Sequence, residues 1–217
     1  MKERVLLFDI MKALCVIEIV AFWHMLDYTP LIYTKVPWGE QLTFTGLSAF
    51  TFASGFFLGK KQISAIPFYK SRLKRFMIPL LGSLLIFYFL HLTSLKAVCL
   101  APIGLSCFIG PMPLTLWYFS MIILFYWVTP LLLWRVWSMS PLERTMNVVV
   151  RSIMIYLIMV LANVEERVQM YFFFYILGII VNLNVIKIVV NIKPIYQMGG
   201  ANHLVSNKLQ KSLFIHI

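Results

Sequence analysis

His24 and Asp27 lie three residues apart near one end of an apolar run covering residues 5–28, and the same run carries Asp9, Lys12 and Glu18. Titratable groups are costly inside a bilayer, and they mark function there by default. On a helix, residues three apart share a face. The Asp27 carboxylate would then orient the His24 imidazole and favour its charged form. Such a pair has the makings of a general base. An interfacial histidine that is hydrogen-bonded and chemically idle accounts for the same residues equally well. Glu18 sits deeper and on another face, where pairing with a polar group of another span is at least as good an account.

Three further constellations stand out. Phe68-Tyr69-Lys70-Ser71-Arg72-Leu73-Lys74-Arg75-Phe76, followed by Ile78-Pro79, gathers four cations at the entrance to an apolar run. Such a cluster binds anionic lipid headgroups or the phosphates of a nucleotide-like ligand. Charge alone favours topology and lipid contact, with the segment read as a loop. In Ala53-Ser54-Gly55-Phe56-Phe57-Leu58-Gly59, small residues allow a helix or a ligand to come close, and packing is the default. Leu116-Trp117-Tyr118-Phe119 is, taken alone, an interfacial aromatic belt.

The elements that must position these residues are membrane spans. Of the 217 residues, 61% are hydrophobic and only 12% charged, and mean hydropathy is +0.86. A soluble domain is about 45–50% apolar and about 25% charged. The net charge of +11 does not indicate nucleic acid, because the basic residues fall in short connecting segments rather than on one face. Of the three cysteines, Cys15 lies in a span, while Cys99 and Cys107 flank an outer loop. An oxidising exterior would permit a Cys99–Cys107 disulfide, but small apolar residues are the favoured reading. No zinc-type spacing and no other metal set is present. Lys2 and Arg4 precede the first apolar run, which is interrupted by charge and followed by no small-x-small cleavage site. It is therefore read as a retained signal-anchor.

About six spans are predicted, at 5–28, 42–59, 76–95, 114–137, 148–163 and 168–184, each near the roughly 20 residues a bilayer requires. The run 185–195 is discounted because Lys187, Lys193 and Pro194 interrupt it. The segment 101–113, rich in proline, is predicted as an outer loop. Lys60, Lys61, Lys70, Arg72, Lys74 and Arg75 lie between the second and third spans, and Arg135, Arg144 and Arg151 lie around the fourth and fifth. By the positive-inside rule these are cytoplasmic, as is the N-terminus. The expected fold is an all-α polytopic membrane helix bundle, with His24 outside and the cationic segment inside.

In this order, the elements resemble the membrane-bound acyltransferase-3 family. Asp9-Ile10-Met11-Lys12 running to His24 resembles that family's opening Asp-x-x-Arg/Lys span that ends in histidine. Ser54-Gly55-Phe56 matches its Ser-Gly-Phe element. Arg72-Leu73-Lys74-Arg75 followed by Pro79 resembles its Arg-x-x-Arg segment. Trp117, with Tyr126 and Pro130 following, resembles its Trp-Phe-Leu span, and Tyr171 to Ile179 with Gly178 its later aromatic, glycine-bearing span. The specificity lies in the joint order over about the first 180 residues.

The resemblance implies an integral membrane O-acyltransferase that moves an acyl group, often acetyl, from cytoplasmic acyl-CoA to a hydroxyl of a cell-surface carbohydrate. It would be multi-pass in the cell membrane, of the bacterial inner-membrane type, in contact with lipid. No bound cofactor is implied, because acyl-CoA is a substrate. Carried over, Lys70, Arg72, Arg75 and Lys12 would bind the donor. His24, supported by Asp27, would deprotonate the acceptor or relay the acyl group, and Asp9, Ser54, Gly55, Phe56 and Trp117 would be structural motif residues. The family places eleven steps, about three helical turns, between its first-span basic residue and its histidine. Here Lys12 to His24 is twelve steps, a register that a π-bulge would restore.

The family typically has about ten spans. A shortened member is the expectation, with 1–197 as a partial membrane domain and 198–217 as an irregular, candidate non-native tail. A catalytically inactive fragment or accessory membrane protein, and a small-molecule transporter, are the alternative readings.

Overall fold

The computed structural model describes residues 39–59, 63–113 and 116–198, together with Ile10, Ala13, Leu14 and Ile17. The expected first span, with Asp9, Lys12, Glu18, His24 and Asp27, lies outside the described residues, as does the tail beyond Met198.

All regular structure among the described residues is helical. There are five long helices among the described residues, α1 (Gly39–Leu58), α2 (Ala65–Phe89), α5 (Trp117–Leu132), α6 (Pro141–Leu161) and α7 (Glu166–Met198). The short helices α3 (Leu95–Leu100) and α4 (Ser106–Ile109) and a 3-10 turn at Ala101–Ile103 fall between α2 and α5, and a second 3-10 turn at Val136–Ser138 follows α5. Three stretches are long and apolar enough to cross a membrane: Trp117–Ser138, Pro141–Leu161 and Glu166–Asn184. The chain is thus an all-α membrane protein. The described residues give span character to three of the six segments expected from the sequence.

Several boundaries differ from the sequence expectation. The cationic segment is not a loop: Lys70, Arg72, Lys74 and Arg75 lie in the first half of α2. Lysine and arginine are good helix formers, and α2 simply begins at Ala65, after Ser64 in an extended conformation at its N-cap. Pro79 sits inside α2, as intramembrane helices tolerate. The fifth predicted span starts earlier than expected, at Pro141. There Ser140 and Glu143 form a reciprocal capping box, with the Ser140 amide donating to Glu143 Oε2 at 3.0 Å, the arrangement that satisfies free amides at a helix start. The discounted run 185–195 continues α7 without a break as far as Met198.

The segment between α2 and α5 is also not the open loop expected. It folds into the α3–turn–α4 unit, whose Ala97, Ala101, Pro102, Ser106 and Cys107 are buried. Trp127 Nε1, in the second half of α5, donates to the Ile103 carbonyl at 3.1 Å. Gly104 makes this docking feasible: its φ is +78°, and a Cβ there would lie 3.3 Å from the Ser120 carbonyl oxygen. The Cys99 and Cys107 thiols are both free.

The core is an aromatic and aliphatic cluster shared by α1, α5 and α7, with Met121, Phe125, Tyr175 and Ile179 fully covered. α1 crosses α7 at backbone contact. A Cβ on Gly55 would overlap the carbonyl oxygen of Tyr175, and one on Gly178 would overlap that of Phe52. Small residues at such crossings let membrane helices gain close van der Waals packing. The cations after α5 have structural roles. Arg151 donates to the carbonyls of Leu131, Leu132 and Trp134 at 3.1, 3.2 and 2.8 Å, satisfying the open C-terminal end of α5. Arg144 lies 4.4 Å from the Trp137 ring centre.

Candidate functional site

Helical geometry sorts the four cations of α2 into two pairs. At about 100° per residue, Phe68 and Phe76 fall about 40° to either side of Arg72, and Arg75 about 60° from it. Lys70 and Lys74 fall about 160° away. The α5-facing side of α2 is the arginine side. Phe68 and Phe76 pack on the Tyr126 ring with centres 5.8 and 5.7 Å apart. The Tyr69 ring meets that of Trp127 at a tilt, with centres 4.9 Å apart, and its hydroxyl donates to the Trp127 carbonyl at 2.9 Å. Arg72 is half-buried and Arg75 exposed. The guanidinium charges of both reach the Tyr126 phenol, and that of Arg72 also reaches Tyr175. Lys70 and Lys74 are exposed on the opposite side.

Behind Tyr126 the polar line continues. Tyr175 is fully buried, and its hydroxyl shares a hydrogen bond with Thr129 Oγ1. Thr129 also donates to the Phe125 carbonyl at 2.7 Å. The Gly55 contact fixes the backbone of Tyr175 from the other side. Ser54 Oγ, next to it, is satisfied locally by the Phe50 carbonyl at 2.9 Å, and Phe56 stacks with Phe52 at 6.2 Å. The Ser-Gly-Phe element therefore seats α1 on α7.

A second cluster forms at the opposite end of α5. The Arg167 guanidinium lies 4.9 Å from the Trp117 ring centre and pairs with Glu165. Trp117 also meets Tyr171 at 5.8 Å, and Phe44 meets Tyr171 at 5.6 Å. Thr51 Oγ1 and the Tyr118 hydroxyl share a hydrogen bond of 3.1 Å. Cys107 lies buried close to this region. Burial, aided by the Glu165 carboxylate, pushes its thiol up to about 12. A separate groove of about 680 Å³ opens between α6 and α7, against Ser152, Tyr156, Gln169 and Phe173, and none of the candidate site residues lines it. Among the described residues, no three His, Cys, Asp or Glu side chains converge on a point.

The structure thus brings together Arg72, Arg75, Tyr126 and the Thr129–Tyr175 pair. It sets Lys70 apart from them and puts Trp117 in a different cluster, while Lys12, His24 and Asp27 fall outside the described residues. The roles of Thr129 and Tyr175 were missed from sequence. No local pattern joins those two, whereas the alternation Phe68-x3-Arg72-x3-Phe76, exposed by a helical reading of that segment, was an available signal for the side of α2 that meets Tyr126.

The model of the acyltransferase-3 family, an acyltransferase domain, matches residues 6–189. That match spans the cationic helix, the Ser-Gly-Phe element, Trp117 and the α1–α7 crossing alike. No curated protein and no solved structure matches the chain. With most of its length matched, this chain belongs to the membrane-bound acyltransferase-3 family and is an acyltransferase that transfers a group other than an aminoacyl group.

Proposed function

We propose that the protein transfers an acyl group, acetyl in the first instance, from cytoplasmic acyl-CoA to a hydroxyl of an extracytoplasmic carbohydrate in the cell envelope, working as a multi-pass protein of a bacterial cell membrane. The observation that supports this reading is the sorting of cations on α2. Arg72 and Arg75 share the side that meets Tyr126, while the two lysines point away. Arginine forks match phosphate oxygens in pairs, and a donor with several phosphates suits such a face. Lys70 and Lys74 suit anionic headgroups instead.

In this reading the acceptor hydroxyl gives its proton to His24 as its oxygen attacks the thioester carbonyl. The tetrahedral intermediate collapses with cleavage of the carbon–sulfur bond. The thiolate of CoA leaves and takes up the proton from His24. Asp27, three residues further on, would hold the imidazole in the tautomer that accepts at the free nitrogen. Lys12 would serve on the donor's side of the membrane.

Membranes containing the protein, supplied with acetyl-labelled acetyl-CoA, test this. Label is expected to enter envelope carbohydrate with the wild type and to fall by about 10²–10⁴-fold with His24→Ala, the range for removal of a general base. Equal labelling by both proteins would remove His24 from the reaction, and no labelling above membranes lacking the protein would refute the donor and acceptor together.

A further inference from the structure

Tyr126 differs from the other buried or half-buried tyrosines around α5. Tyr69 donates to the Trp127 carbonyl, Tyr118 pairs with Thr51, and Tyr175 pairs with Thr129. The Tyr126 side chain is only 4% exposed, and no hydrogen bond occupies its hydroxyl among the described residues, although that hydroxyl is not one of the fully buried polar atoms left without a partner. Its ring is clamped between Phe68 and Phe76, one helical turn to either side of Arg72, which fixes it at the α2–α5 boundary. Among the described residues, the charges that act on it are the two guanidinium groups. An anion held by Arg72 and Arg75 would therefore meet a preplaced neutral donor, and a phenol donates well to a phosphate oxygen.

We propose that Tyr126 is a donor-binding residue, its hydroxyl completing with Arg72 and Arg75 a site for a phosphate group of the acyl-CoA donor. This rests on the donor reading given above. A lipid phosphate has the same chemistry, so the test separates the two sources.

The test is equilibrium binding of coenzyme A to the full chain in phosphatidylcholine nanodiscs, which requires no turnover. The wild type is expected to bind. Tyr126→Phe, with unchanged elution and helix content, is expected to bind about tenfold more weakly, the loss of one hydrogen bond to a charged group. Acetyl-pantetheine, which has no phosphate, is expected to bind both proteins alike. Equal coenzyme A binding by Tyr126→Phe and wild type would overturn the role of Tyr126 and leave the donor reading standing. Equal weakening towards acetyl-pantetheine would make the effect one of packing and overturn it too. A wild type that ignores coenzyme A but retains phosphatidylglycerol through delipidation, with retention lowered by Arg72→Ala, would assign the site to a headgroup and overturn both readings. If Tyr126→Phe does not fold, a fluorotyrosine at Tyr126 replaces it. Its fluorine resonance is expected to shift with coenzyme A and not with acetyl-pantetheine, and an unchanged resonance with coenzyme A overturns the proposal.

Discussion

Gly55 of α1 rests directly on the backbone carbonyl of Tyr175 in α7, leaving no room for a Cβ. Three residues on, Gly178 meets the Phe52 carbonyl in the same way. The crossing is reciprocal and made of main chain, so neither helix can yield by rotating a side chain. It holds in place the residue whose hydroxyl pairs with Thr129, and it couples the packing of α1 to the polar line behind Tyr126.

Gly55→Ala and Gly178→Ala are therefore expected to destabilise the protein by at least about 1–3 kcal/mol each, the cost of overpacking. Because both press on one crossing, the double variant should lose less than the sum. Gly82→Ala is the contrast. A Cβ there meets nothing within 4 Å, and alanine is favoured over glycine in a helix by about 0.5–1 kcal/mol. Thermal unfolding in detergent checks all three: melting falls for the first two and holds or rises for the third.

Arg151 carries a separate prediction. It is counted as a cytoplasmic positive charge, but its guanidinium also satisfies three carbonyls at the end of α5. Arg151→Lys keeps the charge and loses the planar fork. Stability should fall by about 1–3 kcal/mol, while membrane orientation, read by protease or thiol accessibility, stays as in the wild type.

The two described cysteines should differ in reactivity. Cys99 is exposed and Cys107 buried, with the Cys107 thiol raised from 9.0 to about 12 by burial and then by Glu165. The thiolate is the nucleophile, so maleimide at pH 8 should modify Cys99 and reach Cys107 only after denaturation. Mass spectrometry of the peptides decides it. The sign for stability follows. The folded value is raised above the unfolded one, so the contribution is fully present below pH 9 and is lost as pH rises towards 12.

Much of this was legible in the residues. The small residues of Ala53-Ser54-Gly55 pointed to close approach in a span, whereas Gly178 entered only through the family resemblance. The Trp117 span needed only hydropathy. The cationic segment was misplaced because charge was taken as a sign of loop. Its own residues are strong helix formers, and the 3.6 period that separates Arg72 and Arg75 from Lys70 and Lys74 appears only once a helix is drawn there. The Ala101 to Pro113 stretch misled for a related reason. Prolines and glycines signal turns, but they do not say whether the turns are solvated or docked, and the Trp127–Ile103 hydrogen bond is a long-range fact. Thr129 and Tyr175 sit 46 residues apart in sequence, and no local pattern joins them.

On the proposed reading, the arginine side of α2, and not its overall charge, binds the donor. Initial rates of acetyl transfer against acetyl-CoA concentration, measured in membranes for Arg72→Ala/Arg75→Ala and for Lys70→Ala/Lys74→Ala, test it most directly, since both variants lose the same charge. Loss of the arginine pair is expected to raise KM for acetyl-CoA by at least about tenfold, while loss of the lysine pair leaves it within about twofold of the wild type. Equal rises in both variants, or a larger rise in the lysine variant, would contradict it.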